Sequence, residues 1–182
     1  MKTLSTPLAT DQVRKLRAGE LVLVNGTVYT ARDAAHARIV AALARGEEPP
    51  FALAGQVIYY VGPCPAAPGK VIGSCGPTTS GRMDAYAPLL IEKGIKAMIG
   101  KGERSPEVVE AMRKHGAVYL ATVGGAGAYL AGCVKQAHVI AYPDLGPEAV
   151  LRLEVEKMPC VVAIDSTGAN LYRTGRQKYR VP

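Results

Sequence analysis

A chain of 182 residues, 48% of them hydrophobic, suits one globular domain with a real core, and a single domain over residues 1–182 is expected. No stretch approaches the roughly 18 uninterrupted apolar residues of a membrane span, and the opening MKTLSTPLATDQVRKLRAGE lacks the apolar centre of a signal peptide. A soluble, cytoplasmic protein with no membrane partner is expected. The net charge of +7 admits nucleic acid, an anionic small molecule or an acidic protein as partner, but only 5% of residues are aromatic and none is Trp, which argues against nucleic acid.

The first patterned stretch, LVLVNGTVYTA, reads as two short strands around a type I′ turn at Asn25-Gly26. RDAAHARIVAALARG then shows apolar residues at helical spacing, with Asp33 in the first turn and Gly46 at the end. Prolines and glycines in AGQVIYYVGPCPAAPGKVIGSCG forbid a helix and predict β-structure broken by a loop. From Gly76 the pattern alternates. SGRMDAYAPLLIEKG reads as helix, IKAMIGKG as strand, SPEVVEAMRKHG as helix, AVYLAT as strand, GGAGAYLAG as a Gly-rich helix entry and QAHVIAYP as strand. This rhythm predicts an α/β domain with parallel strands and crossover helices. AVLRLEVEKMPCVVAIDSTGANLY closes the chain as strands with a turn at Ser166–Asn170.

Cys64, Cys75, Cys133 and Cys160 are far apart with no C-x-x-C pair, which fits a reducing compartment better than a disulfide framework or zinc. Arg173, Arg176, Lys178 and Arg180 form a basic tail, either a solvated end or a docking strip.

The chemistry concentrates in GPTTSGRMD. Gly76-Pro77 ends a strand, Thr79 or Ser80 is placed to cap the next helix, and Arg82 falls in its first turn. Hydroxyls, free N–H groups, a helix dipole and a guanidinium together favour an anion, a carboxylate above all. The plainer alternative is an N-cap followed by a surface arginine. Arg32 and His36 share a helix face, either as a second carboxylate site or as a surface ion pair beside a hydrogen-bonded histidine. Lys101 closes an apolar strand, where open α/β sheets bind ligands. VGGAGAYLAG lacks the full dinucleotide spacing, so tight packing of the turn is the expected role of its glycines. Cys75 reads as an inward strand position, and no Ser-His-Asp order or H-E-x-x-H motif is present.

Taken together, LVNGTVYTARDAAH, IGSCGPTTSGRMD, KAMIGKGERS, VGGAGAYLAGCVKQAHVI and LEVEKMPCVVAIDSTGANLY, in this order, resemble the β subunit or C-terminal half of the class I iron–sulfur hydro-lyases, the group of fumarate hydratase and L-tartrate dehydratase. The resemblance covers nearly the whole chain. It implies a swivelling β/β/α three-layer domain with a mainly parallel central sheet. It also implies that Thr78 takes part in acid–base chemistry, that Arg32, Thr79, Arg82 and Lys101 bind substrate carboxylates, and that His36 and Ser80 support them. The [4Fe–4S] cluster of such enzymes, which holds the substrate hydroxyl as a Lewis acid, is implied to belong to a partner α subunit, since no cysteine here matches its ligands and no metal ligand is expected in this chain. The expected activity is reversible hydration of fumarate to L-malate in an oligomer with that α subunit, the isolated chain being inactive. GKGERS and LEVEKMP favour fumarase over tartrate dehydratase. A tartrate dehydratase β subunit, or a non-catalytic module binding a dicarboxylate or a protein, are the alternatives.

Overall fold

Short runs of β-branched residues, each followed by a helix or loop, build a seven-stranded mixed sheet in which every strand finds a partner. The structure, a computed structural model, describes residues 1–177, 179 and 180, so Lys178 of the basic tail lies outside the described residues. In chain order the elements are β1 (Lys2–Ser5), α1 (Thr10–Arg14), β2 (Leu21–Thr30), α2 (Asp33–Ala44), β3 (Val57–Tyr59), α3 (Ala87–Glu92), β4 (Ala97–Gly100), α4 (Pro106–His115), β5 (Val118–Ala121), α5 (Gly127–Cys133), β6 (Val134–Ala141), β7 (Val150–Ile164) and α6 (Leu171–Gln177). No helix among the described residues is long and apolar enough to cross a membrane.

The sheet order is β1-β2-β3-β4-β5-β7-β6, and β7 also pairs with β2. Strands β2, β3, β4, β5 and β7 therefore close into a barrel-like ring, with β1 and β6 added outside it. Neighbours from β1 through β5 are parallel, and β7 runs antiparallel to β2, β5 and β6. The mainly parallel character expected from the alternating pattern is present.

Successive side chains of a strand point to opposite faces, and here both faces are buried. Val57, Tyr59, Ala97, Ile99, Val118 and Leu120 join one core with Val13 of α1 and Leu130 of α5. Their alternates Ile58, Met98 and Tyr119 join a second core with Ile39 of α2, Leu90 of α3 and Met112 of α4. Strands covered on both sides read as continuous apolar runs, which is how IKAMIG and AVYLA read.

Four expectations need correction. Asn25-Gly26 is not a hairpin turn. The run Leu21–Thr30 is one strand, and Gly26 (φ 94°) sits at a bulge where the β2–β7 register shifts. The Asn25 carbonyl accepts from Thr6 N–H at 3.0 Å, and its side chain accepts from Lys157 N–H at 2.7 Å. With β1 on one edge and β7 on the other, both halves of β2 already have long-range partners, and these outweigh a local turn. Second, β6 is antiparallel. The place beside β5 that a third crossover would fill is taken by the 15-residue β7, which reaches both β5 and β2. Third, SGRMDAYAPLLIEKG is a 3₁₀ turn (Ser80–Met83) followed by the six-residue α3, because Pro88 suits a first helical turn and not a helix interior. Fourth, β1, α1 and α6 were not expected; α6 begins at Leu171 in a stretch read as strand. The turn at 166–170 is present and leads from Ile164 to its bridge partner Asn170.

Candidate carboxylate-binding site

Parallel strands β2 to β5 all end on one side of the sheet. Arg32 follows β2, Tyr60–Gly62 follow β3, Lys101 follows β4 and Gly124 lies just beyond β5. No strand ends at Gly76-Pro77, contrary to the expectation from sequence; Cys75 is buried in irregular backbone, and the segment carrying Thr78, Thr79 and Ser80 is laid across the strand ends by backbone hydrogen bonds. Thr78 N–H donates to the Tyr60 carbonyl at 2.8 Å, Lys101 N–H to the Thr78 carbonyl at 3.3 Å, and Ser80 N–H to the Lys101 carbonyl at 2.8 Å. Thr79 and Lys101 thus form a single parallel bridge.

The glycines permit the close approach. A Cβ on Gly100 would overlap the Ser80 hydroxyl, so only a bare backbone lets the threonine segment lie against β4. The Gly-rich run does the same at the end of β5. Cys75 N–H donates to the Gly127 carbonyl at 3.1 Å, and a Cβ on Gly127 would come within 2.9 Å of Gly76 N, so the glycines serve tight packing.

Thr79 and Ser80 do not cap a helix through their side chains. Ser80 is buried, and its hydroxyl pairs with the Tyr119 hydroxyl at 2.8 Å. Tyr119 gives its proton to the Gly102 carbonyl at 3.0 Å, which leaves Ser80 as donor. Since α3 starts only at Ala87 and is short, the helix dipole expected from sequence contributes little; attraction for an anion rests on charged side chains.

Those side chains group as follows. Arg82 Nη2 donates to Asp33 Oδ2 at 2.6 Å. Arg32 Nη2 pairs with Glu148 Oε1 at 3.2 Å, while its Nε lies 3.7 Å from Asp33 Oδ1. Burial by itself would raise the Asp33 pKa; its own backbone N–H, the Arg82 hydrogen bond and the charges of both arginines outweigh that and hold it below the usual carboxylate value. Lys101 is exposed, its Nζ 3.2 Å from where a Cβ on Gly124 would lie. Neither the Thr78 and Thr79 hydroxyls nor the Lys101 ammonium has a hydrogen-bond or ion-pair partner among the described residues.

His36 resolves the two readings of the Arg32–His36 pair. It is fully buried, and its Nδ1 lies 2.8 Å from the Arg32 carbonyl. A carbonyl only accepts, so Nδ1 carries the proton. Burial depresses the pKa to about 4, offset in part by that hydrogen bond, so the ring is neutral near pH 7. His36 therefore braces Arg32 from within and does not itself face a carboxylate. Tyr60 joins the two groups: its carbonyl holds Thr78, and its ring meets the His36 ring edge-on at 5.3 Å.

Sequence reasoning missed Arg104, Asp84 and Glu148. Arg104 is buried between the Tyr60 and Tyr119 rings, 5.2 and 5.1 Å from their centroids, and donates to Asp84 Oδ1 at 2.7 Å. Asp84 Oδ2 accepts from Ser105 N–H at 2.6 Å, tying the turn after Arg82 to the start of α4. A charged residue between a strand end and a helix cap ordinarily reads as solvated, and only the placement of β3 and β5 on either side of β4 brings Tyr60, just after β3, and Tyr119 of β5 around Arg104.

The site is an open shelf. Grooves of about 620 Å³ between α3 and α4 and about 560 Å³ beside the 65–74 loop include none of its cations, and the first carries Glu92, Glu107 and Glu110, which suits an anion poorly. No three His, Cys, Asp or Glu side chains among the described residues come together as a metal would require. Cys75 and Cys160 lie in the core, where burial pushes their thiols up to about 11 and about 12, and Cys64 is exposed and alone.

Two arginines, a lysine and paired threonines gather at one end of the sheet of this α/β domain, a set whose chemistry suits a carboxylate. Comparison with known proteins places it. The chain matches the family described as Fumarase C-terminus over residues 2–175 and belongs to it. It is 41% identical over 164 residues to "Fumarate hydratase 2" of Leishmania major, covering 89% of this chain and 29% of that protein. It is 40% identical to "Fumarate hydratase class I, aerobic" of Escherichia coli, covering 82% and 28%. It is also 40% identical to "Putative L(+)-tartrate dehydratase subunit beta" of Methanocaldococcus jannaschii, covering 94% and 91%. The chain thus spans about a third or less of the length of the fumarate hydratases it matches.

Proposed function

We propose that this chain is the substrate-holding β subunit of a class I hydro-lyase that interconverts fumarate and L-malate. The observation that carries this reading is the convergence of Arg32, Arg82, Lys101 and the Thr78–Thr79 pair at one end of the sheet, in a chain similar along most of its length to fumarate hydratases. A four-carbon dicarboxylate needs cations for both ends, and Arg32 and Arg82 on one side with Lys101 on the other supply them. Thr79 adds a hydroxyl donor. Thr78 takes part in moving the proton at the carbon beside a carboxylate, with the neighbouring cations stabilising the charge that develops there. His36 and Ser80 support these residues through Arg32 and Tyr119.

A [4Fe–4S] cluster does not fit the cysteines of this chain, so the reading assigns it to a partner α subunit that completes the site in a cytoplasmic oligomer. That the Thr78, Thr79 and Lys101 groups have no partner among the described residues suits half of a site. The three-layer swivelling architecture belongs to the same reading, with the helices of the second core as its outer layer. A tartrate dehydratase β subunit is the second reading, favoured by the relative whose length this chain nearly matches.

Co-expressed anaerobically with an α chain and supplied with iron and sulfide, the protein is expected to hydrate fumarate faster than it dehydrates L-tartrate, measured on one preparation. Arg82→Ala and Thr78→Ala are expected to abolish turnover while the chains remain folded; normal activity in both removes the site assignment.

A further inference from the structure

Polar frustration in this molecule is concentrated in one helical turn. The buried side-chain nitrogen and oxygen atoms without a hydrogen-bond partner among the described residues are Arg32 Nε, Asp33 Oδ1 and His36 Nε2, all at the start of α2. In a folded protein such atoms are few, and each calls for a reason. Two of them face each other at 3.7 Å, an attractive charge pair too long for a hydrogen bond. The second oxygen of Asp33 makes the short 2.6 Å bond to Arg82, which arrives from a segment 49 residues away. One carboxylate therefore lies between two guanidiniums that would otherwise repel each other.

The two arginines are held unequally. Arg32 has a further anchor in Glu148, whose other oxygen accepts from Ala34 N–H at 3.3 Å. Arg82 is half exposed, and Asp33 is its one ion-pair partner among the described residues. Asp33 itself sits in the first turn of the 12-residue α2, where a carboxylate is favoured by the dipole, so it is a fixed post and not a mobile competitor.

We infer that Asp33 is a positioning residue: it draws the Arg82 guanidinium to Arg32 and so sets the spacing of the two carboxylate-binding arginines. The inference rests on the carboxylate-site reading of Arg82, and its test separates the two. In the ¹⁵N-labelled full chain, the Arg82 Nε–H resonance, assigned by its loss in Arg82→Lys, is expected to be displaced from the free-arginine position. Asp33→Asn should move it to that position, and Asp33→Glu should keep most of the displacement. Thermal midpoints of all three variants should stay close to the parent, because the pair is only partly buried, with Arg82 half exposed. In the enzyme assembled with its α chain, Asp33→Asn should raise KM for fumarate roughly tenfold with a smaller change in kcat, and Asp33→Glu should restore part of the loss. An Arg82 resonance unmoved by Asp33→Asn overturns the inference, and so does a fall in KM, which marks Asp33 as a competitor of substrate. If the parent assembly hydrates no dicarboxylate, the functional reading fails, and the resonance by itself decides the role of Asp33.

Discussion

Arg82 lies within the turn at Ser80–Met83 and Arg104 is bonded to Asp84 just after it, and their surroundings are opposite. The Arg104 side chain is 0% exposed, bonded to Asp84 and flanked by two tyrosine rings; the Arg82 side chain is 50% exposed and held by one carboxylate. A buried charge is tolerable only when fully partnered, so Arg104 is a strut that joins the threonine segment to the start of α4. A half-exposed charge costs little to leave partly free, so Arg82 remains available for a ligand. In this fold the buried, fully partnered cation supports its neighbours, and the half-exposed one keeps a face open to solvent.

The comparison breaks most visibly at Arg104. Arg104→Ala strands the Asp84 carboxylate in a mostly buried place and is expected to lower stability by about 3–5 kcal/mol, read as a shift in the urea midpoint. Next comes pH. The folded protein holds His36 near a pKa of about 4 against 6.5 for the ordinary group. Between those values the unfolded chain binds a proton that the folded chain refuses. The His36 contribution is therefore complete above pH 6.5 and falls by about 3 kcal/mol as pH drops to 4. His36→Asn should remove that slope from a plot of unfolding free energy against pH. Gly100→Ala, whose added methyl overlaps Ser80 Oγ, should cost about 1–3 kcal/mol and perturb the Tyr119 hydroxyl environment. Arg82→Ala should change stability least, by under about 1 kcal/mol, while removing turnover. An Arg82→Ala variant as unstable as Arg104→Ala would erase the distinction between strut and binder.

Much of the site is legible in the sequence. Arg32 and Lys101 stand just past the ends of β2 and β4, as the alternating pattern puts them, while Thr78, Thr79 and Arg82 follow no strand and reach the same end of the sheet through the Thr79–Lys101 bridge. The packing role of VGGAGAYLAG is legible for the same kind of reason, since glycines without the dinucleotide spacing are left with close approach as their use. Partners distant along the chain are what the sequence hides. Asn25-Gly26 has the local chemistry of a turn, but β1 and β7 occupy both edges of β2 and hold it straight. Thr79 and Ser80 have the chemistry of caps, but Tyr119 and the Lys101 carbonyl claim Ser80.

By itself the sequence determined the residue types of the candidate site, their order, and the mixed α/β alternation that brings Arg32 and Lys101 to strand ends, because these depend on periodicity and on neighbours within a few positions. Only the tertiary structure decided that β7 closes the sheet into a ring, that Arg104 is inside and Arg82 outside, and that Asp33 stands between two arginines. Each of those outcomes is set by which long-range partner reaches a group first and shields it from water, and no local pattern carries that information.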